Sequence, residues 1–434
     1  MRRFAVIGSG IAGLAAARGL AAIGQVTLFE AADWFGGHTH TVDLTLDGVT
    51  HGVDIGFLVF NDKTYPKLIR LFAELGVETA PSEMSFSVQA DSGRLEWSGC
   101  NLDTVFAQRA NLARPAFWRM LVELLRFNRL TTALARDESD AGLRSLDQPI
   151  GDFLVAQRFS EAFRDWYFLP MIGCIWSCPT EQMLRFPIAT LIRFCHNHGL
   201  LQVTGRPPWR TVRGGARNYV ARMLEAIPDA RLKTPVHRIR RLAAGGAEVS
   251  TDHGHERFDA VVLACHSDQS MALLADPSDA EREVLRALRY HANRAVLHTD
   301  ASVLPKRPRA WAAWNYERAT SADREGASVC LHYLINRLQP VPFTTPVIVS
   351  LNPLRPPADG TVHGEFEFAH PVFDRAAVAA QEKLPALQGQ RDTWFCGAWT
   401  RYGFHEDGLA SGLAVAERIA GATVGRSPPA AVTA

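Results

Sequence analysis

Residues 1–30 read MRRFAVIGSGIAGLAAARGLAAIGQVTLFE, and this stretch decides the fold. A short apolar strand leads into the turn Gly8-x-Gly10-x-x-Gly13, which is followed by a helix of small residues and by a second strand that ends in Glu30. In dinucleotide-binding proteins the first glycine makes a tight turn, the second lets the pyrophosphate approach the backbone, and the third lets helix and strand pack closely. The helix N-terminus faces the phosphates. The pattern therefore predicts a Rossmann-like dinucleotide site.

Glu30 supports this interpretation because it stands where an acid is needed. An acid about 20 residues after the glycines, at the end of the second strand, accepts hydrogen bonds from ribose hydroxyls and leaves no room for a 2′-phosphate. Ile11 and Ala12 begin the helix and complete the predicted phosphate-binding turn. The alternative is a buried glycine turn without a ligand, which does not account for an acid in this register.

The composition is that of an ordinary globular protein. The 434 residues are 47% hydrophobic and 21% charged, which suits about two domains with a large core. The net charge of +1 argues against bulk binding of nucleic acid. No run of about 18 apolar residues occurs, so we expect no transmembrane helix and a cytoplasmic protein. Seven cysteines without CxxC pairs predict reduced thiols, and Cys174 and Cys178 lack the second pair that a zinc site needs, so no metal is expected.

Along the rest of the chain, the predicted secondary structure changes in kind twice. Asp47-Gly48 predicts a hairpin turn, and Gly76 predicts the end of a helix. A mostly helical stretch covers 101–198, and the segment 294–374 alternates like an antiparallel sheet that lines a ligand cavity. We therefore predict a nucleotide-binding domain of residues 1–80, 205–290 and 388–425, a second domain of residues 81–204 and 291–387, and a disordered tail over 426–434.

Further motifs follow in a fixed order. They are the Gly36-Gly37 pair, the turn Asp54-Ile-Gly56-Phe57, the strand TPVHRI with Val236, and the closing segment Gly397-x-Trp399 with Gly403 to Gly412. Together with the N-terminal fingerprint they resemble the flavin-containing amine oxidase superfamily, which also contains phytoene desaturases and protoporphyrinogen oxidase. The resemblance implies FAD as the cofactor and an α/β fold, with a discontinuous Rossmann-like FAD-binding domain and a second, α+β substrate domain.

The resemblance also implies roles for single residues. The first glycines hold the FAD pyrophosphate, Glu30 binds the adenosine ribose, and Val236 meets the adenine through its backbone. Leu409 offers a backbone N–H to the flavin near the N-terminus of the last helix. The implied cofactor-binding residues are Gly8, Gly10, Ile11, Ala12, Gly13, Glu30, Gly36, Gly37, His38, Asp54, Gly56, Phe57, Val236, Gly397, Trp399, Gly408 and Leu409.

The amine oxidase pattern is not fully kept. His38 stands where the pattern has Arg after the glycine pair, and Arg294 aligns with the lysine that holds a water near the flavin. Arginine stays protonated, so it cannot take the part of lysine in handling an amine. Phe404 aligns with one aromatic-cage position, and His405 follows beside the expected flavin edge. Phe404, His405 and Arg294 are the candidate catalytic residues; for His38 and His405 the alternatives are a solvent-facing loop position and packing at the helix entry.

A narrower resemblance bears on the substrate. WRTVRGGARNYV (209–220), AWAAWNY (310–316) and FCGAWTRYGFHEDGL (395–409) resemble a bacterial branch of predicted FAD-binding oxidoreductases. Genes of this branch often accompany enzymes similar to cyclopropane-fatty-acid synthases, and some members are implicated in desaturating methyl-branched acyl chains. The resemblance implies a long-chain acyl lipid as the substrate. Only one dinucleotide fingerprint occurs in the sequence, so dioxygen or a quinone is the expected electron acceptor.

The expected reaction is removal of a hydride from an allylic position of an unsaturated, methyl-branched acyl chain, followed by loss of a proton to give a diene. An allylic position suits this chemistry because the neighbouring double bond stabilises the cation left behind. Amine oxidation and a non-redox, flavin-dependent isomerisation are the alternatives.

An arginine-rich stretch over 107–136 interleaves basic and apolar residues. A helix that is apolar on one side and basic on the other suits an anionic membrane surface, so we expect peripheral contact with the inner face of a membrane. The alternative is an ordinary amphipathic helix packed on the sheet.

Overall fold

The computed structural model describes residues 1–90, 93–137, 146, 148–197, 199, 201, 205, 207–318 and 328–424. The strands are β1 (Arg3–Ile7), β2 (Gln25–Phe29), β3 (Thr41–Leu46), β4 (Val49–Asp54), β5 (Phe60–Asn61), β6 (Thr79–Ser82), β7 (Phe86–Ala90), β8 (Leu95–Ser98), β9 (Trp209–Val212), β10 (Asp229–Arg231), β11 (Val236–Arg241), β12 (Ala247–Thr251), β13 (Gly254–Phe258), β14 (Ala260–Leu263), β15 (Arg289–His298), β16 (Trp314–Glu317), β17 (Cys330–Leu334), β18 (Ile348–Leu351), β19 (Val362–Val372) and β20 (Thr393–Phe395). The helices are α1 (Ile11–Ala21), α2 (Pro66–Leu75), α3 (Leu102–Val105), α4 (Pro115–Arg136), α5 (Ile150–Ala156), α6 (Glu161–Phe163), α7 (Leu169–Trp176), α8 (Thr180–Leu184), α9 (Ile188–Asn197), α10 (Arg217–Leu224), α11 (Ser267–Leu273), α12 (Asp279–Ala287), α13 (Ile335–Leu338), α14 (Arg375–Leu387) and α15 (His405–Val424). The tail predicted over 426–434 lies outside the described residues.

A five-stranded sheet holds the N-terminal fingerprint, in the order β10-β2-β1-β14-β20. Every neighbouring pair in this sheet is parallel. One face packs on α1 and α15, and the other packs on the β11-β12-β13 sheet together with α12 and α14. A parallel sheet covered on both faces is the layered arrangement of a Rossmann-like domain, as the sequence predicts.

The strands of this sheet come from three separate stretches of chain, within 3–29, 229–263 and 393–395. The two-domain division at the boundaries given above stays a prediction.

The second large sheet has seven strands, in the order β19-β15-β18-β17-β16-β7-β8. The pairings among β15 to β19 are antiparallel, as the alternation over 294–374 predicts. The sheet as a whole is mixed, because β16 pairs in parallel with β7. The alternation in the sequence did not indicate that β7 and β8 would extend this sheet, because that pairing joins parts of the chain more than 200 residues apart.

Helices α3 to α9 form the mostly helical stretch that the sequence predicts, and their apolar side chains share one core with the seven-stranded sheet. The longest of them is α4, with 22 residues. Helices α6 and α7 are joined by a π-helical turn at Arg164–Phe168. No helix in the described parts of the chain is long and apolar enough to cross a membrane.

Two predicted turns are confirmed by their backbone angles. Asp47 and Gly48 have φ of 51° and 76° between β3 and β4, the left-handed values that a type I′ hairpin turn requires. Gly76 has φ of 63° and ends α2. All seven cysteines are free thiols, as predicted.

Candidate active site

The glycine turn between β1 and α1 has the geometry that the motif predicts. Gly8 has φ of 102°, a value that favours glycine. A Cβ on Gly13 would lie 1.9 Å from the carbonyl oxygen of Gly8, so the helix approaches the strand this closely only without a side chain. A Cβ on Gly10 would meet no atom within 4 Å. Gly10 therefore faces open space at the N-terminus of α1, where a phosphate is expected.

Glu30 follows β2 and is fixed by three hydrogen bonds. The amide and the hydroxyl of Ser9 donate to Oε2 at 2.9 and 2.6 Å, and the amide of Ala32 donates to Oε1 at 2.9 Å. The carboxylate is thus held beside the glycine turn, on the wall of the same cavity. Oε1 keeps a lone pair that can accept a hydrogen bond from a ribose hydroxyl.

A second glycine loop crosses the first one. Gly37 has φ of 58°, and a Cβ on it would lie 3.1 Å from the Cα of Gly10. The carbonyl of His38 accepts a hydrogen bond from the amide of Phe57 at 2.8 Å. A Cβ on Gly56 would lie 2.1 Å from that carbonyl oxygen. The motifs that are far apart in sequence therefore meet around one space.

This space is a cavity of about 1610 Å³ that joins the glycine loops to the seven-stranded sheet. The volume exceeds the roughly 300–1,000 Å³ usual for one small ligand, so a cofactor and a substrate have room together. From the loops it passes Tyr290 on β15 and His370 on β19, then Tyr333 on β17 and Trp314 on β16, and it reaches Trp118 on α4. The predicted sheet therefore lines a large cavity.

Charged side chains are rare in the cavity wall. Among the described residues that line it, the acids are Glu30 and Glu83, and none is Lys, Arg or Asp. Glu83 pairs with Arg337 at 3.0 Å and also accepts a hydrogen bond from the hydroxyl of Ser85. Most of the wall consists of apolar and aromatic side chains.

The wall also contains a cluster of histidines, namely His38, His266, His370 and His405. The ring of His38 lies 5.2 Å from that of His370 and 6.5 Å from that of His266, measured between centroids. Burial lowers the pKa of His38 well below its usual value, and the neighbouring histidines lower it further. Burial also lowers the pKa of His370 to about 4 and lowers that of His266. These imidazoles are neutral at pH 7, and Nε2 of His38 has no hydrogen-bond partner among the described residues.

His405 begins α15 and is held from two sides. Its ring stacks on that of Phe57, with centroids 3.9 Å apart and planes 13° apart. Its Nε2 lies 2.7 Å from the hydroxyl of Tyr219, which lies 2.5 Å from Oγ1 of Thr39. Burial lowers the pKa of His405 to about 3. His405 is thus a neutral, packed side chain that also faces the cavity.

Most of the predicted site residues line the cavity. They are Gly8, Gly10, Ile11, Ala12, Glu30, Gly36, Gly37, His38, Gly56, Phe57, Val236, Gly397, Trp399, Phe404 and His405. Gly13 acts through close packing instead. Gly408 and Leu409 do not line the cavity: a Cβ on Gly408 would lie 2.9 Å from the side chain of Ile11, and Leu409 is buried. Both residues lie where α15 packs against α1.

The prediction that Asp54 contacts the cofactor is corrected, because its carboxylate does not line the cavity. It accepts hydrogen bonds from the amide of Ala216 at 2.9 Å, from Nε2 of Gln339 at 2.7 Å and from Oγ1 of Thr41 at 2.5 Å. Burial raises its pKa to about 7, although these hydrogen bonds favour the ionised form. Asp54 therefore ties β4 to the start of α10 and to the end of α13.

The prediction that Arg294 belongs to the site is also corrected. Its side chain is 48% exposed and makes two hydrogen bonds to Glu365, at 3.0 and 2.6 Å. The residue of β15 that lines the cavity is Tyr290. Four positions along a strand correspond to about 13 Å, so the strand has left the cavity before it reaches Arg294.

Among the wall residues that the sequence analysis did not identify, three carry polar groups close to the cofactor loops, namely His266, Tyr290 and His370. His266 follows the end of β14, and the carboxyl ends of parallel strands are where such sheets bind ligands. That signal was available. The positions of Tyr290 and His370 in the wall depend on the pairing of β15 with β19, in which Tyr290 lies opposite Pro371. No local sequence pattern indicates this register.

A polar cluster lies on the other face of the seven-stranded sheet. Nε2 of His332 is 3.0 Å from the carboxylate of Glu317 and 3.5 Å from Sγ of Cys330, while its Nδ1 is 2.6 Å from Oγ of Ser350. Burial alone would lower the pKa of His332, but Cys330 and Glu317 raise it to about 9. The four side chains therefore form one hydrogen-bonded cluster in the sheet.

Comparison with known proteins identifies the family. Residues 11–333 match the family described as flavin containing amine oxidoreductase. The chain belongs to this family. A carotenoid phi-ring synthase from Streptomyces griseus is 30% identical over 294 residues, which are 62% of this chain and 53% of that protein. The chain therefore spans about half the length of this curated relative.

Solved structures share the fold at low sequence identity. The CLA-producing fatty acid isomerase from P. acnes matches with a TM-score of 0.67 and 16% identity, over 96% of this chain and 98% of that chain. Cyclohexylamine oxidase from Brevibacterium oxydans IH-35A gives 0.68 and 15%, over 98% and 99%. Putrescine oxidase bound to putrescine gives 0.67 and 17%, over 97% and 99%. These matches concern the fold.

The family makes this protein an FAD-dependent oxidoreductase, and the cavity fits the cofactor. Open space adjoins Gly10 at a helix N-terminus, Glu30 is held beside it, and Nε2 of His38 is buried without a partner among the described residues. The glycine turn would hold the pyrophosphate and Glu30 the ribose, with the start of β11 at Val236 toward the adenine. The rest of the cavity, with the histidine cluster and the aromatic wall, would then surround the flavin ring and the substrate.

Proposed function

We propose that the protein removes a hydride from an allylic C–H bond of an unsaturated, methyl-branched fatty acyl chain, which then loses a proton to become a diene. The observation that carries this proposal is the long apolar part of the cavity, which runs from the cofactor loops across the seven-stranded sheet to α4. An apolar tunnel of this kind suits an acyl chain, since each methylene group removed from water contributes about 0.8 kcal/mol.

The length of the tunnel agrees with a long chain. It crosses the sheet from Tyr290 on β15 to Trp97 on β8. Five strand spacings separate these strands in the sheet order, and at about 4.8 Å each they span roughly 24 Å. This is the scale of an extended long-chain acyl group, whereas a small diamine would fill only part of it.

The neutrality of the wall favours an uncharged reacting centre. A cationic amine would have to leave water for a cavity where Glu83 is already paired with Arg337, and burying an unpaired charge is costly. Bound FAD would supply the chemistry by accepting the hydride, which carries the two electrons of the broken C–H bond, and dioxygen or a quinone would then remove these two electrons. The protein's own residues hold the chain, exclude water and offer neutral imidazoles as proton acceptors at His38, His266 or His370.

Isomerisation without net oxidation is the second candidate. It is favoured by the shared fold of the fatty acid isomerase from P. acnes, which covers nearly the whole of both chains. Both candidates place an acyl chain in the same tunnel. They differ in whether the product has more double bonds than the substrate.

The deciding experiment is anaerobic mixing of the FAD-loaded protein with acyl lipids, followed by flavin absorbance and mass spectrometry. The proposal expects bleaching by lipids with a methyl-branched unsaturated chain and a product lighter by two hydrogen atoms. The matched saturated lipid should leave the flavin oxidised. A product of unchanged mass with a shifted double bond would establish isomerisation, and equal bleaching by the saturated lipid would refute the allylic reaction.

A further inference from the structure

We propose that the outer end of the tunnel is a membrane-docking surface, through which an acyl chain enters directly from a lipid bilayer. This inference rests on the proposed function for its substrate. The surface, called here the mouth patch, consists of Leu102, Trp118, Val122 and Leu125. We expect membrane lipid to cover this patch, because the patch is continuous with the tunnel and is bordered by basic side chains.

The exposure of the mouth patch is unusual for a folded surface. Leu102 is 78% exposed, Trp118 46%, Val122 63% and Leu125 54%. The last three are spaced by four and three residues on α4, so they share one face of the helix. Large contiguous apolar patches on a soluble protein mark sites of interaction with a partner or a membrane.

The same side chains line the cavity. The helix therefore has two apolar faces. Phe117, Met120 and Phe127 are buried in the core, while Trp118, Val122 and Leu125 stand at the tunnel end. An amphipathic helix that merely packs on a sheet has one apolar face and a polar outer face. The second apolar face distinguishes α4 from that simple alternative.

Basic side chains of the arginine-rich stretch over 107–136 border the patch. Arg119 pairs with Glu123 at 3.0 Å, and Glu123 also accepts hydrogen bonds from Ser160. Arg126 donates to the carbonyl of Gln157 at 2.9 Å and lies over the ring of Phe159. These arginines are anchored in the fold, yet their side chains lie at an exposed surface beside the patch. The arginines can contact anionic lipid headgroups while the apolar patch inserts into the interface of the bilayer.

The physical advantage concerns the path of the substrate. An acyl chain that leaves a bilayer through water exposes its whole apolar surface, whereas a chain that passes from the bilayer into an apolar tunnel stays out of water. Because the inserted side chains themselves form the tunnel wall, docking joins the two apolar phases. The surface is therefore expected to bind vesicles whether or not turnover occurs.

The test uses the FAD-loaded protein and flotation with two kinds of vesicle, phosphatidylcholine alone and phosphatidylcholine with phosphatidylglycerol. We expect binding to both, stronger with phosphatidylglycerol. High salt should reduce the second to the level of the first without abolishing it, because the apolar contribution is not screened. The double variant Val122→Asp, Leu125→Asp should bind at least about tenfold more weakly to both.

The matched control is Val155→Asp, which changes an equally apolar side chain that is 78% exposed on α5 and lies outside the cavity wall. It should bind vesicles like the parent. Bound FAD and thermal unfolding report whether each variant is folded. Equal flotation of parent and double variant would overturn the docking surface.

A second copy of the chain is the competing occupant of the patch. If light scattering shows that the double variant changes the protein from dimer to monomer while vesicle binding is unaffected, the patch is a dimer interface and the proposal is wrong. Flotation needs no turnover. Failure of lipids to bleach the flavin would therefore refute the proposed reaction and leave the docking result to stand or fall by itself.

Discussion

Replacing Gly10 with valine separates cofactor binding from folding. Gly10 has φ of −59° and ψ of 170°, backbone values that valine adopts without strain, and a Cβ there meets nothing within 4 Å. The variant should therefore fold. Loss of glycine at this helix N-cap costs roughly 1 kcal/mol, a small part of the about 5–15 kcal/mol that stabilises a domain.

The effect on FAD should be much larger than the effect on the fold. The valine branches would stand in the open space where the pyrophosphate approaches the N-terminus of α1. Each lost hydrogen bond to a charged group contributes about 1.5–3 kcal/mol, so losing two weakens binding by at least roughly 100-fold. We expect Gly10→Val to purify folded and colourless.

The assay is the ratio of flavin to protein after purification, measured together with thermal unfolding. Gly421→Ala is a suitable control, since a Cβ on Gly421 also meets no atom within 4 Å but Gly421 lies on α15 away from the cavity wall. The control should keep its FAD. A folded Gly10→Val variant with one FAD per chain would refute the assignment of the glycine turn.

Three further predictions concern the tunnel and the histidines. Primary, secondary and polyamines should leave the flavin oxidised under anaerobic mixing, and rapid bleaching with peroxide formation by any of them would put amine oxidation first. Cys174→Phe should fill the tunnel and lower the rate of flavin reduction by long-chain lipids at least about tenfold with FAD content unchanged, because Cys174 lines the wall; Cys174→Ala should not, and equal rates in both variants would refute the tunnel. Burial lowers the pKa of His405 from 6.5 to about 3, so the unfolded chain binds more protons in this interval and stability should fall as the pH drops below about 6.5, by up to roughly 1.4 kcal/mol per pH unit for each such group. His405→Gln should show a shallower loss in urea unfolding between pH 6.5 and 5, and an unchanged slope would mean that His405 is not buried as a neutral base.

The parts of the site that could be predicted are those in which a local pattern has a single physical meaning. Gly8 has a positive φ that favours glycine, and a Cβ on Gly13 would lie only 1.9 Å from the carbonyl oxygen of Gly8. The spacing of these glycines in the sequence is therefore enough to identify the turn. Glu30 is similarly tied to the end of β2. The hairpin at Asp47-Gly48 and the end of α2 at Gly76 depend on backbone angles that favour these residue types.

The parts that could not be predicted depend on long-range pairing. Asp54 lies two positions before Gly56, which lines the cavity, yet the direction of the Asp54 side chain is decided by Ala216 and Gln339, which are far away in sequence. Arg294 was predicted to belong to the site because it aligns with the lysine of the amine oxidase pattern, and it lies on β15. A small error in register along a strand moves a residue out of a cavity, because each position adds about 3.3 Å.

The distribution of charge connects the two sheets with the kind of chemistry they favour. At the parallel sheet, the open helix N-terminus at Gly10 and the fixed carboxylate of Glu30 provide for a phosphate and a ribose. Beyond them, burial keeps the imidazoles of His370 and His405 neutral, with pKa values of about 4 and 3. A charge that developed on a substrate there would find few fixed counter-charges in the described wall. The proposed reaction is compatible with this distribution of charge, because in it a neighbouring double bond of an apolar, unsaturated chain, rather than a protein side chain, would stabilise the developing cation.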